Sequence, residues 1–138
     1  RYLVHGSPAQ RRIPPGESHA TALARATECW ARAGARAREL GVTYCIEPLA
    51  PAETDLVNTV AEAAAIVDAV AEPGLRTMID CSAASQAETE PIPALVARWV
   101  PTGRIAHVQV NDRNRRGPGE GEVRFAPILA ALRRAGYG

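Results

Sequence analysis

The chain has 138 residues, 46% hydrophobic and 22% charged, a composition that folds as one globular domain rather than staying disordered. Its 16 basic and 15 acidic residues leave a formal net charge of +1, too weak a field to favour nucleic acid or an anionic membrane. All 16 basic residues are arginines, which excludes lysine Schiff-base catalysis and a P-loop lysine. No apolar run approaches the ~20 residues of a membrane helix. No basic segment followed by an apolar stretch opens the chain as a signal peptide would. Cys29, Cys45 and Cys81 are isolated, with no CxxC pair, so reduced thiols in a cytoplasmic protein are expected.

The periodicity alternates along the chain. Tyr2-Leu3-Val4-His5 reads as a short strand ending at Gly6-Ser7, and the proline-rich stretch from Pro8 to Gly16 reads as a loop. Leu23, Ala26, Trp30, Ala33, Ala37 and Leu40 then recur at helical spacing, with Gly41 as the stop. Val42 to Ile46 is a compact apolar run, the mark of a strand buried on both faces. Thr59 and Glu62 have capping-box spacing, and Val60, Ala63, Val67 and Val70 form the helical stripe behind them. Pro73-Gly74 breaks that helix, and Leu75 to Ile79 is the next strand. Ile92, Leu95, Val96 and Trp99 predict a third helix, and Ile105 to Val110 a fourth strand. A turn-rich stretch from Arg113 to Gly121 leads to a last helix with Phe125, Ile128, Leu129 and Leu132, in which Pro127 fits only the first turn.

Strands alternating with helices imply a parallel α/β sheet covered by helices. Two closures fit: an open doubly wound sheet, or part of a (β/α)8 barrel. A full barrel takes roughly 250 residues, so four βα units are about half of one. No Gly-x-Gly-x-x-Gly follows any strand, which weakens the dinucleotide-binding open sheet.

In either architecture the active site lies at the carboxyl ends of the strands. Glu47 directly follows Ile46, Asp80 directly follows Ile79, and His107 lies within Ile105–Val110. Two carboxylates and an imidazole are an O, O, N donor set suited to Mn²⁺, Mg²⁺ or Co²⁺, with Zn²⁺ also compatible. Such an ion polarises a carbonyl and stabilises an enediolate while a carboxylate moves a proton. His5 also ends a strand; pocket lining and a structural role both fit it. His19 starts a helix, and Arg32, Arg36 and Arg38 form the wet face of that helix. Arg115-Arg116 read as solvated loop residues able to attract an anion, and Gly117 to Gly121 as turn chemistry.

The stretch Ile46-Glu47-Pro-Leu-Ala-Pro-Ala-Glu53-Thr54-Asp-Leu-Val-Asn58-Thr59, then Met78-Ile-Asp80, His107 and Gly117-Pro-Gly-Glu-Gly121, resembles the sugar phosphate isomerase/epimerase family. These are xylose isomerase-like TIM barrels that include ketose 3-epimerases and hydroxypyruvate isomerase. The resemblance spans nearly the whole chain and implies metal-dependent isomerisation or epimerisation of a sugar or small hydroxy-ketone. It implies Glu47, Asp80 and His107 as ligands of a divalent metal ion and Glu47 as an acid/base group. It further implies Arg113, six residues after His107, as a holder of a substrate oxygen or phosphate, with Glu53 orienting that arginine or the substrate. Where the family often has a substrate-contacting His after the strand-six Asp, this chain has Ala83.

The resemblance also makes residues 1–138 a partial barrel domain, strands four to seven, lacking the amino-terminal strands and the last strand with its second acid/base Glu. A fragment inactive alone, a catalytic parent, and homo-oligomeric association through unpaired strand edges are the expectations. An inosose-type dehydratase would use the same enolate, and a non-catalytic barrel remnant would bind a ligand or partner without chemistry. An apurinic-site endonuclease would need more site histidines than three His residues supply and a basic surplus.

Overall fold

The computed structural model describes all 138 residues. Four strands, β1 (Tyr2–His5), β2 (Thr43–Ile46), β3 (Leu75–Asp80) and β4 (Ile105–Gln109), form one parallel sheet in sequence order. Five helices accompany them: α1 (His19–Glu39), α2 (Val60–Val70), α3 (Cys81–Ala87), α4 (Ile92–Trp99) and α5 (Phe125–Arg134). The sheet is a half-barrel whose edges are β1 and β4, where Tyr2, Leu3 and Val110 are exposed.

The predicted elements form for the reasons their sequences carry. Ser18 caps α1 by accepting from the Thr21 N–H, and α1 ends in a left-handed Gly41 whose neighbour Val42 donates back to the Ala37 carbonyl. The Thr59–Glu62 capping box is complete. Pro127 falls in the first turn of α5. Strand boundaries match to within a residue or two. The one α-helix not anticipated is α3, which starts directly from Asp80. Its sequence, Cys-Ser-Ala-Ala-Ser-Gln-Ala, carries no apolar stripe; it is helical because the Asp80 carboxylate caps it, accepting from the Ala83 N–H at 2.7 Å.

Alternate residues of each strand face the helices. Ile46 and Leu75 pack with Trp30, Ala63, Ile66 and Val67 of α1 and α2. Ile79 and Val108 pack with Leu95 and Val96 of α4 and Ile128 and Leu132 of α5. Burial of Trp30 alone makes its truncation to alanine worth about 3–5 kcal/mol. The intervening residues, including Glu47, Asp80, His107 and Gln109, therefore project from the other, inner face.

Candidate metal and substrate site at the strand mouth

Glu47 and Asp80 sit at the carboxyl ends of adjacent strands, as the sequence predicts. Asp80 is 6% exposed and held by donors on both oxygens: the Ala83 N–H on Oδ1 and the Asn111 side-chain amide on Oδ2 at 2.8 Å. Asn111 is itself oriented by the Ser82 N–H, which donates to its Oδ1. Glu47 is half-buried against Gly6, where any Cβ would collide with its carboxylate. Burial pushes the Glu47 pKa up, and the charge of Asp80 pushes it further; Arg11 and Arg115 oppose both. A bound cation would relieve the cost that burial and Asp80 put on ionising Glu47.

His107 reaches the same inner face but does not complete a three-residue cluster with them. No three His, Cys, Asp or Glu side chains of the structure converge as a ligand set. The cause is register. A shift between Thr77 and Met78 pairs Met78 with His107, so the residue opposite Asp80 is Gln109. His107 lies lower on β4 and stacks on Tyr2 of the far edge strand, ring centroids 5.8 Å apart.

His5 turns away from the mouth. It shares the register of Ile46, so its side chain meets the helix layer, where its Nδ1 accepts from Trp30 Nε1 at 2.9 Å and its ring meets Tyr44 edge-on. Burial, and then the charge of Arg11, lowers its pKa, keeping the imidazole neutral for that bond.

Glu53 does have an arginine partner, but it is Arg115, not Arg113. The Arg113 side chain is exposed, and only its backbone is engaged. Arg115, its side chain also mostly exposed, is turned toward Glu53 by a left-handed backbone (φ 65°) and by its N–H donating to the Asp112 carbonyl. Asp112, fully buried, organises this whole β4–α5 loop: its Oδ1 accepts from the Arg113, Glu122 and Val123 N–H groups.

The thiols stay out of the chemistry. All three cysteines are free; burial pushes Cys45 up to about 11 and Cys81 up to about 12, so neither is a thiolate near neutrality. Three site residues lie outside the sequence-derived set: Asn111, Arg115 and the buried Arg11. Asn111 directly follows the predicted strand run Ile105–Val110, a signal of the same kind that reveals Glu47 and Asp80. Arg11 carries no local signal.

A parallel half-barrel with paired carboxylates at its mouth defines the class, and the family follows. The family model of the xylose isomerase-like TIM barrel matches residues 1–138, and the chain belongs to that family. Among solved structures, a D-psicose 3-epimerase crystallised in the presence of D-fructose is 28% identical, with TM-score 0.79 over 91% of this chain and 43% of its own. An L-ribulose 3-epimerase matches at 22% identity and TM-score 0.85, covering 99% of this chain and 45% of its own. A 3-keto-D-glucoside 4-epimerase from E. coli matches at 22% identity and TM-score 0.81, covering 92% and 48%. The chain thus spans less than half the length of these structures. No helix is long and apolar enough to cross a membrane.

Proposed function

We propose that this strand mouth serves a metal-dependent isomerase or epimerase acting on a sugar or small hydroxy-ketone through an enediolate. The observation that carries the reading is the Glu47–Asp80 pair, two carboxylates at the ends of adjacent parallel strands, with the Asp80 charge raising the Glu47 pKa. Their oxygens fit a hard divalent cation such as Mn²⁺, Mg²⁺ or Co²⁺. On β4 the further donor candidates on the same face are the His107 imidazole and the Gln109 amide oxygen opposite Asp80. When bound, the ion supplies Lewis acidity to the substrate carbonyl.

The chain's own groups divide the remaining work. Asp80, with an N–H on one oxygen and an amide on the other, is held in one orientation. Glu47, free of such donors and with its proton affinity raised, is the group able to take and return the proton beside the carbonyl. Arg115 offers its guanidinium to a substrate oxygen or phosphate, and Glu53 fixes it. Arg113, exposed on the same loop, is a second cation for an anionic substrate. The ketohexose present with the 28%-identical relative points to ketoses as the first compounds to try.

The test is solvent exchange. With Mn²⁺ in D₂O, ketohexoses incubated with the chain completed to a full barrel should gain deuterium at the carbon next to the carbonyl, read by NMR, and Glu47→Gln should stop it. Tight Mn²⁺ and sugar binding without exchange would replace the enzyme reading with a non-catalytic binding module.

A further inference from the structure

The loop from Glu47 to Thr59 carries both Glu47 and Glu53, yet it contains no regular secondary structure. What fixes its path comes from another loop. Arg11, in the short 3-10 turn Ala9–Arg11 between β1 and α1, is 3% exposed; both its terminal guanidinium nitrogens bond backbone carbonyls, its Nε has no partner, and the group lies over the Trp30 ring. Nη1 donates to Gly6 O at 3.0 Å and Glu47 O at 2.7 Å. Nη2 donates to Leu56 O and, at 2.9 Å, to Val57 O. One planar cation thus joins the ends of β1 and β2 to the far end of the loop. The loop answers in kind, since Thr54 Oγ1 donates to the Arg11 carbonyl at 3.1 Å.

The clamp holds a segment that would not choose this path alone. Val57 has φ 63°, a left-handed conformation that is costly for a β-branched residue. Its carbonyl takes donors from two sides, Arg11 and the Leu49 N–H. Arg11 makes no hydrogen bond to the Glu47 carboxylate; it grips the main chain that carries it.

We infer that Arg11 is a positioning residue for the mouth: its four carbonyl bonds hold the strained β2–α2 loop so that Glu47 and Glu53 stand at the site. Lysine cannot replace it, because one ammonium cannot reach carbonyls on three separate segments in the fixed planar fork that guanidinium provides. The neighbouring Arg12 serves as the control. It grips the same loop from outside, at Asp55 and the Ala52 carbonyl, through an exposed side chain.

The proposal rests on the metal reading only for one of its two readouts. The first readout is residue-resolved amide hydrogen exchange on metal-free protein, comparing Arg11→Lys, Arg11→Met and Arg12→Met. Both Arg11 variants should speed exchange of the Leu49 and Asn58 amides by about tenfold or more while the β3 amides Met78 and Ile79 keep their protection. Arg12→Met should change neither. Arg11→Lys is the deciding variant if Arg11→Met does not fold. The second readout is Mn²⁺ affinity, which the Arg11 variants should weaken about 10- to 100-fold. Unchanged loop exchange in Arg11→Lys, or a rise shared equally by β3, would overturn the positioning role. Unchanged Mn²⁺ affinity beside a loosened loop would overturn it too. An unmodified protein that binds no Mn²⁺ would sink the metal reading instead, leaving the exchange pattern to decide the clamp.

Discussion

Two irregular loops frame the strand mouth, and they are held by opposite charges. The β2–α2 loop closes on a buried cation, Arg11, because its carbonyls at Glu47, Leu56 and Val57 point inward. The β4–α5 loop closes on a buried anion, Asp112, because its N–H groups at Arg113, Glu122 and Val123 point inward. The sign of the buried residue follows the backbone groups that need partners. Each loop then delivers one member of the Glu53–Arg115 pair across the mouth. Both use a left-handed non-glycine residue, Val57 in one and Arg115 in the other, so each carries local strain that its buried ion must hold.

The β4–α5 loop is most vulnerable at Asp112. Asp112→Ala strands three N–H groups in a buried setting and should cost about 2–4 kcal/mol in chemical denaturation. NMR of the same variant should show the Arg115–Glu53 ion pair broken. Gly121→Ala attacks the same anchor sterically, since a Cβ there collides with the Asp112 carboxylate; about 1–3 kcal/mol is expected by the same denaturation assay.

The other loop has more fastenings and should lose less per change. Asn58 donates its amide to Leu49 O at 2.8 Å and Thr54 O at 3.2 Å, so Asn58→Ala should cost about 1–2 kcal/mol by denaturation. Glu47→Gln should do the reverse and raise the metal-free melting temperature by about 1–4 °C near neutrality, because it removes a carboxylate that burial and Asp80 make costly to ionise. The sign is fixed by linkage. A carboxyl whose folded pKa is raised binds its proton more tightly in the folded state, so the wild type should gain on Glu47→Gln as pH falls from neutrality into the carboxylate range. A gap that widened on acidification would contradict the raised pKa. Smallest of all, Arg12→Met breaks an exposed ion pair and should shift stability by no more than about 0.5 kcal/mol.

These contrasts also mark where sequence reasoning reaches. Glu47 and Asp80 are legible because a polar residue directly after an apolar run in a parallel sheet stands at the mouth. The capping box at Thr59 and the stop at Gly41 are legible because caps are local chemistry. His107 sits lower than its sequence position suggests because the register shift at Thr77/Met78 depends on how two strands pair, not on either strand alone. His5 and Glu47 fall on opposite faces for the same reason: strand parity and register decide it, while the residue type fits both. Arg115 rather than Arg113 meets Glu53 because a left-handed backbone turns the loop, and nothing in Arg-Asn-Arg-Arg announces which arginine will meet it. Arg11 is invisible for a deeper reason. Its partners are carbonyls, which every residue has, so no side-chain pattern marks them.

We propose that Glu47 and Asp80 together hold a divalent cation. Calorimetric titration of Mn²⁺ into the protein, beside Glu47→Gln, Asp80→Asn, His107→Asn and Gln109→Ala, decides it. The prediction is one Mn²⁺ bound by the wild type, lost in both carboxylate variants, with the two β4 variants deciding which side chain is the third ligand. Absence of binding in the wild type, or affinity unchanged in both Glu47→Gln and Asp80→Asn, would contradict it.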